Sequence, residues 1–194
     1  MKKILFLLLI VIGVRSQSTA QDYIDPLPSL KLYPGTVVTL DGTVINGYVY
    51  NNYKEKNQKQ CLFYKEKDGR SERIYKPNEL ISYTIENTEY RSVNYDGTLR
   101  FGKPGKNFVF VAQPGAITTY AYYGSEKQIF WAKGNEAPVI GADLTLGFKK
   151  NINKLIGDNT ALASKVEQKQ KGYGMMNIID IINEYNAQAL AEKP

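Results

Sequence analysis

The hydrophobic period of this chain changes near Asp143, and that change constrains the fold more than any other feature. Before it, apolar residues alternate over short runs, as in strands that bury one face. After it, Leu144, Phe148, Ile152 and Leu155 recur every three or four residues, which is one face of an amphipathic helix. Strands followed by helices predict the α+β class, with an antiparallel β region over residues 36–142 and a helical region over 143–191, in the same domain or a closely packed subdomain.

Asp-Gly dipeptides at residues 41–42 and 68–69 predict tight hairpins, because the turn they favour needs positive φ at both central residues. With two-residue loops, the predicted cross-strand neighbours are Val38 and Ile45 in the first hairpin, and Phe63 and Ile74 in the second. A third hairpin is predicted between residues 82–85 and 89–92. Further strand patterns follow at residues 108–112, 117–123 and 128–132.

These patterns together predict an antiparallel β meander of about eight short strands, as a sandwich or small barrel. Two or three C-terminal helices are expected to pack on the sheet. The second helix is predicted to begin at Asp158, a favourable N-cap residue. In the last helix, Ile178, Ile182 and Tyr185 form an apolar stripe that could dock a partner or a lipid surface, but that we expect to pack on the sheet.

The first twenty residues have the three zones of a secretory signal peptide: a basic start, an apolar run over residues 4–14, and a small, polar end. Cleavage is predicted between Ala20 and Gln21. An apolar run of about 11 residues is too short to cross a bilayer, so we expect no membrane span once it is removed. The mature chain would begin with an extended lead-in over residues 21–35 and lie in the periplasm or at the cell surface.

Removal of the signal peptide also lowers the net charge. The chain has 25 Lys and Arg against 19 Asp and Glu, a formal charge of +6, and the loss of Lys2, Lys3 and Arg15 reduces it to +3. The remaining bases alternate with acids, as at residues 54–56 and 65–68. Because such a surface is solvated rather than arranged as a basic stripe, we expect no nucleic-acid partner.

The chain has no His and a single Cys. His-based triads, His-ligated metals, haem sites and zinc clusters all need residues that it lacks, so we predict no catalytic residue, no metal site and no cofactor. The thiol of Cys61 lies in an apolar strand pattern and is expected to be buried and unreactive. Carboxylate chemistry stays open, since Glu72, Glu79, Glu86 and Glu89 lie near predicted strand ends.

Tyrosine is enriched, with 15 residues against 7 Phe. The candidate binding residues are Tyr120, Tyr122 and Trp131, on two neighbouring predicted strands. An exposed ring covers apolar area of a sugar or a peptide while the Tyr hydroxyl stays in water. The alternative is that tyrosine simply suits a half-exposed sheet face. Burial of all three side chains would argue against an exposed aromatic platform.

Several segments resemble a family of uncharacterised exported proteins from Gram-negative bacteria. They are GTVVTLDG at 35–42, INGYV at 45–49, YKPNEL at 75–80, YTI at 83–85, YRS at 90–92, FKK at 148–150, residues 162–166, and residues 178–186 ending in EYN. The resemblance implies export and strands followed by helices. The family has no assigned activity, so it implies no functional residue.

The function expected from the sequence is therefore that of a non-catalytic binding or structural module of the cell envelope, with an envelope protein or a glycan as partner. The alternative is a carboxylate-based hydrolase that acts on an envelope polymer. A cleft holding two acids with raised pKa values would favour the hydrolase, whereas a shallow aromatic patch would favour binding.

Overall fold

The computed structural model describes residues 27–97 and 105–191. The predicted signal peptide, its cleavage site at Ala20 and Gln21, and the start of the lead-in lie outside these residues. No helix within the described part of the chain is both long enough and apolar enough to span a membrane.

The strands are β1 (Lys31–Thr39), β2 (Val44–Asn51), β3 (Cys61–Tyr64), β4 (Glu72–Tyr75), β5 (Leu80–Ile85), β6 (Thr88–Asn94), β7 (Lys106–Gln113), β8 (Ile117–Tyr123), β9 (Lys127–Lys133) and β10 (Val139–Ile140). The helices are α1 (Lys54–Lys59), α2 (Gly141–Ile156), α3 (Thr160–Glu167) and α4 (Ile178–Ala191), with a 3₁₀ turn over Met175–Asn177 before α4. Helix α2 is kinked at Gly147, whose backbone is not helical.

The predicted α+β class is confirmed. The described strands form one antiparallel sheet in the order β10-β9-β8-β7-β6-β5-β1-β2-β3-β4, followed by C-terminal helices that pack on it. The sheet has ten strands rather than about eight. It is not a closed barrel, because β4 and β10 are its two edges. It also departs from a simple meander, since β1 pairs with both β2 and β5.

The β1–β5 part of the sheet is strongly curled. Four strand spacings separate β4 from β5, yet only residues 76–79 connect them. Crossing a flat sheet would need about 19 Å, at the limit of a fully extended connection, and this one makes a turn in which the Glu79 amide donates to the Lys76 carbonyl. The strands therefore wrap around one core, in which Val37, Tyr75 and Tyr83 are buried together.

The two Asp-Gly hairpins form where predicted, but both registers are shifted by one residue. Val38 pairs with Val44 rather than Ile45, and Phe63 pairs with Arg73 rather than Ile74. In the first hairpin the loop has three residues, because the Thr39 amide donates to the Thr43 carbonyl, the Gly42 amide donates to the Thr39 carbonyl, and Gly42 takes a φ of 85°. That is the three-residue loop in which glycine occupies the left-handed position.

The C-terminal helices follow the predicted apolar stripe. Ile152 and Leu155 of α2, Leu162 of α3, and Ile182 and Tyr185 of α4 are buried in one cluster. The start of α3 is one residue later than predicted. Its N-cap is Asn159, whose side-chain oxygen accepts a hydrogen bond from the Leu162 amide at 3.0 Å. The stripe on α4 thus packs on the sheet, as expected.

Strand β8 is held at both ends by side-chain amides. The Gln58 side chain, on α1, bonds both the amide and the carbonyl of Tyr123 at 2.7 Å. At the other end, Asn186 of α4 bonds the amide of Ile117 at 2.8 Å and its carbonyl at 2.9 Å. Gly115 lets Asn186 approach, because a Cβ there would lie 2.4 Å from the Asn186 side chain. Two helices are therefore tied to one central strand.

The registers assign the side chains of β8 and β9 to two faces. Thr119 lies opposite Trp131, and Tyr120 lies opposite Phe130. The helix face carries Ile117 and Trp131, which pack with α2, α3 and α4. The tyrosine face is defined by Tyr95, Tyr120, Tyr122 and Phe130, which form a separate buried cluster.

Candidate functional site

The three predicted binding residues do not form one exposed platform. Tyr120 is 3% exposed, and Tyr122 and Trp131 are each 6% exposed. Tyr120 and Tyr122 lie on the tyrosine face, whereas Trp131 lies on the helix face, because its cross-strand partner is Thr119. The expectation of a shared aromatic surface is therefore corrected. Whether any of the three contacts a ligand stays a prediction.

Many of the tyrosines are core residues, which neither sequence interpretation anticipated. Tyr83 and Tyr90 are fully buried and stack with ring centroids 4.9 Å apart and 6° between the ring planes. Their burial places hydroxyl groups inside the protein, where each needs a partner. Tyr83 accordingly donates to the Asn57 carbonyl at 2.8 Å, and Tyr95 donates to the Gln128 side chain at 2.5 Å.

A cavity of about 870 Å³ opens on the tyrosine face of the sheet. Its walls come from β5, from β6 and from the turn between β9 and β10. Its floor includes Val93, Tyr120 and Ala132, of which the last two are buried. The described lining residues are Ile81, Arg91, Ser92, Val93, Asn94, Tyr95, Lys106, Tyr120, Ala132 and residues 134–138. We call this space the sheet-face cavity.

The floor of the sheet-face cavity is held in place by ring contacts. Tyr120 stacks on Phe130 with centroids 5.2 Å apart and 20° between the planes. The ring centroids of Phe130 and Tyr95 lie 4.1 Å apart. The rings of Tyr95 and Tyr122 meet edge to face, with their centroids 5.3 Å apart. Because each ring restrains the next, the shape of the floor is fixed before any ligand enters.

Arg91, on β6, is a charged lining residue that interacts with Tyr120 of the floor. Its guanidinium bonds both carboxylate oxygens of Glu89, at 2.7 and 3.1 Å, and lies 3.4 Å from the Thr118 hydroxyl. Burial by itself would lower the pKa of Arg91, but the hydrogen bonds and charge of Glu89 outweigh it, so the pKa is raised. Arg91 therefore stays charged, with most of its charge compensated by Glu89.

The rim of the sheet-face cavity is polar and exposed. Asn94 and Lys106 lie on one side, where β6 ends and β7 begins, and Asn135 and Glu136 lie in the β9–β10 turn. None of the ion pairs given by the described residues involves Lys106 or Glu136. A ligand would thus meet side-chain donors and acceptors at the mouth and apolar surface below.

Sequence reasoning missed this site, although a signal for it exists. In β6, Arg91 and Val93 alternate with the buried Tyr90, so they must point to the opposite face of the strand. The Gly134–Pro138 turn could not be placed over that face from sequence, because its position depends on the register between β8 and β9. The enrichment of tyrosine pointed to Tyr120, which lies in the floor of the cavity, rather than to the rim residues.

A second, smaller hollow of about 330 Å³ lies beside α3 and α4, and its polar groups satisfy one another. The Asp158 carboxylate lies 2.5 Å from Lys133 Nζ and accepts from the Tyr185 hydroxyl at 2.8 Å. The hydrogen bond from Lys133 lowers the pKa of Asp158. These contacts anchor α4 and the end of α2 to β9, which explains the cluster as a structural one.

A similar cluster joins α3 to α4. Lys165 Nζ lies 2.7 Å from Glu184 and 3.0 Å from the Tyr173 hydroxyl, which itself donates to Glu184 at 2.9 Å. The bond from Lys165 lowers the pKa of Glu184. Glu184, Tyr185 and Asn186 therefore bond three different parts of the protein from consecutive positions of α4.

The other groups with reactive chemistry are the Cys61 thiol and the acidic side chains. Cys61 is buried in the curled part of the sheet, and its burial raises the pKa of the thiol well above the ordinary value. Within the described residues, no group of three or more His, Cys, Asp or Glu side chains is placed to hold a metal ion. Glu136 is the one carboxylate residue among the described lining of the sheet-face cavity.

Comparison of the chain with protein-family models, with curated proteins and with solved structures gave no match. The resemblance to a family of uncharacterised exported proteins accordingly stays a prediction.

Proposed function

We propose that this protein is an exported, non-catalytic binding module of the cell envelope, and that the sheet-face cavity is its ligand site. The observation that carries the proposal is the cavity itself: about 870 Å³, with a buried floor of Tyr120 and Ala132 and an exposed polar rim. Ligand sites have this size and this combination of apolar surface with a few polar groups. The three-zone N-terminal segment supports export.

The proposed mechanism is binding by a preformed site. The ring contacts among Tyr95, Tyr120 and Phe130 fix the floor, so little ordering free energy is lost when a ligand enters. The rim residues would orient the ligand through hydrogen bonds. The alternative of a hydrolase needs two carboxylates facing each other, and the described lining offers Glu136 without a second acid. The described lining therefore favours binding over hydrolysis.

The test is to fill the mouth of the cavity without disturbing the core. Ala137 is exposed on the rim, so Ala137→Trp places a large ring there at little cost to folding. Ala187→Trp, at an exposed position of α4, is the matched control. Envelope extract is passed over the immobilised mature protein and both variants, and the captured proteins and sugars are analysed.

The proposal predicts a species captured by the wild type and by Ala187→Trp, and lost with Ala137→Trp. If both Trp variants capture the same species as the wild type, the ligand site lies elsewhere and the assignment of the cavity is wrong. Capture of nothing by any of the three would contradict the binding function.

A further inference from the structure

The described charges around the sheet-face cavity balance. Arg91 is paired with Glu89 through two hydrogen bonds, and the described rim carries one base, Lys106, and one acid, Glu136. A site for an anion gathers positive charge that no acid compensates. Among the described lining residues, Arg91 is paired with Glu89, and Lys106 and Glu136 are one base and one acid, so the described lining has no excess charge with which to attract a carboxylate or a phosphate.

The rim offers donors and acceptors together. Asn94 and Asn135 are exposed, and the hydrogen bonds given by the described residues use neither side-chain amide. An amide has two donors and an acceptor, and a hydroxyl group likewise donates and accepts. A ligand with several hydroxyl groups would satisfy these amides and Glu136 at once, whereas an anion would leave the acceptors opposed by negative charge.

The apolar lining of the sheet-face cavity suits the apolar part of such a ligand. Ile81, which is 45% exposed, and the partly exposed Val93 present apolar surface in the lining, and Val93 packs on the cluster that holds the buried Tyr120 and Ala132. A sugar ring has hydroxyl groups around its edge and C–H groups on its faces, so it can bury a face on the floor while its edge bonds the rim. Because Tyr120 is held against Phe130, the floor does not have to be ordered on binding.

The position of the cavity argues against an extended peptide as the ligand. Peptides that add to a sheet bond the free edge of a strand. The cavity lies over the faces of β5, β6, β8 and β9, each of which has a neighbour on both sides. The nearest edge strand, β10, has two residues. Recognition must therefore come from side chains on a face rather than from backbone pairing.

We propose that the sheet-face cavity binds a short, neutral oligosaccharide, an inference that rests on the proposed binding function. Sugar C–H groups lie on Ile81 and Val93, and sugar hydroxyls bond Asn94, Asn135 and Glu136. The balanced charge makes binding insensitive to salt, unlike binding of a charged polymer.

The test uses an array of neutral oligosaccharides, each printed beside a uronic-acid counterpart of equal length, with the mature protein as the probe. We expect a neutral member to bind and its uronic-acid counterpart to bind less. Affinity for the neutral member, measured by titration calorimetry, should change less than about twofold between low and high salt. Asn94→Ala and Asn135→Ala should each weaken it about tenfold, as expected for loss of one or two hydrogen bonds. Asn87→Ala, in the exposed β5–β6 turn, should leave it unchanged.

Three results would overturn the inference. They are preference for the uronic-acid members with affinity that falls steeply in salt, binding of a neutral sugar that Ala137→Trp leaves intact, and no sugar binding at all. In the last case, capture from envelope extract that Ala137→Trp abolishes would leave the proposed binding function standing with a different ligand. If the protein neither binds a sugar nor captures a species from envelope extract, both the sugar inference and the proposed binding function are wrong.

Discussion

The helix face and the tyrosine face of β8 and β9 are buried by different means. On the helix face, Ile117 and Trp131 pack with apolar side chains of three helices in a continuous core. On the tyrosine face, the described members of the buried cluster come from strands and from Tyr95, and the rings cover one another. Helices seal a face completely, whereas stacked rings protect it and leave space above. The first face serves stability and the second leaves room for a ligand.

The largest expected effect is on the helix face. Leu155 of α2 is 1% exposed within the helix cluster, so Leu155→Ala should lower the free energy of unfolding by about 2–5 kcal/mol through the cavity it leaves. Leu146, which is 88% exposed and lies in the first part of α2 before the non-helical Gly147, is the control, and Leu146→Ala should change the free energy of unfolding by less than about 0.5 kcal/mol. Urea unfolding followed by the fluorescence of Trp131 measures both. Equal effects would show that α2 does not seal this face as described.

The next effect concerns the ties between helices and β8. Asn186→Ala removes the partner of both Ile117 backbone groups, and Gln58→Ala does the same for Tyr123. Each should cost about 1–3 kcal/mol, because partly buried backbone groups are left unpaired. Urea unfolding followed by far-UV circular dichroism gives the values.

Asn183 is the control for these ties, since its side chain bonds the Gln113 side chain rather than backbone. Asn183→Ala should lower the free energy of unfolding by less than Asn186→Ala or Gln58→Ala. A cost for Asn186→Ala no greater than for Asn183→Ala would mean that α4 is not tied to β8 through the backbone of Ile117.

A smaller effect is a dependence of stability on pH, which should come from the helix face. The pKa values of Asp158 and Glu184, which anchor the helices, are lowered in the folded protein. A group whose folded pKa lies below its unfolded pKa stabilises the protein above the unfolded value, near 4, and this stabilisation is lost as the pH falls through the folded pKa. The helix layer should therefore weaken below about pH 4, by less than about 1 kcal/mol because both pairs are partly exposed.

The measurement is the urea midpoint between pH 7 and pH 3, followed by Trp131 fluorescence. The double variant Asp158→Asn, Glu184→Gln should show a flatter dependence than the wild type. An unchanged slope would mean that these anchors do not couple protonation to helix packing.

The smallest effects on stability should come from the rim of the sheet-face cavity. Asn135→Ala and Ala137→Trp change exposed residues of the β9–β10 turn, so each should alter the free energy of unfolding by less than about 0.5 kcal/mol. Both variants should bind the proposed ligand of the sheet-face cavity more weakly than the wild type. A large destabilisation by either variant would show that the rim also stabilises the fold. The tyrosine face would then not differ from the helix face in the way described.

The fold class could be predicted from sequence because it depends on local signals. The change of period near Asp143 located the helices, and glycine-containing turns located the hairpins. The register could not be predicted, because Asp41-Gly42 fits both a two-residue and a three-residue loop and only the paired strands decide. Helix α1 was missed because Lys54–Lys59 has no apolar stripe, and its buried contacts come from Asn57 and Gln58.

The site was predictable in part. Tyr120 was singled out and does line the sheet-face cavity, but as a buried floor residue. Trp131 was grouped with it because the two strands are neighbours, and the pairing of Trp131 with Thr119 places it on the other face. Which residues share a face depends on a register that spans two strands. Arg91 and Asn135 belong to one site only through the curvature and pairing of the whole sheet.

The curl of the β1–β5 part of the sheet has a kinetic consequence. β1 meets β2 through a three-residue loop, but its pairing with β5 joins Gly35 to Ile85 and closes a loop of about 50 residues. Contacts so far apart in the chain form slowly, so the β1–β4 ribbon should assemble first and the β5–β6 hairpin should join it late. Until then β1 has an unpaired edge that can capture another chain. Dilute conditions should therefore favour refolding over aggregation.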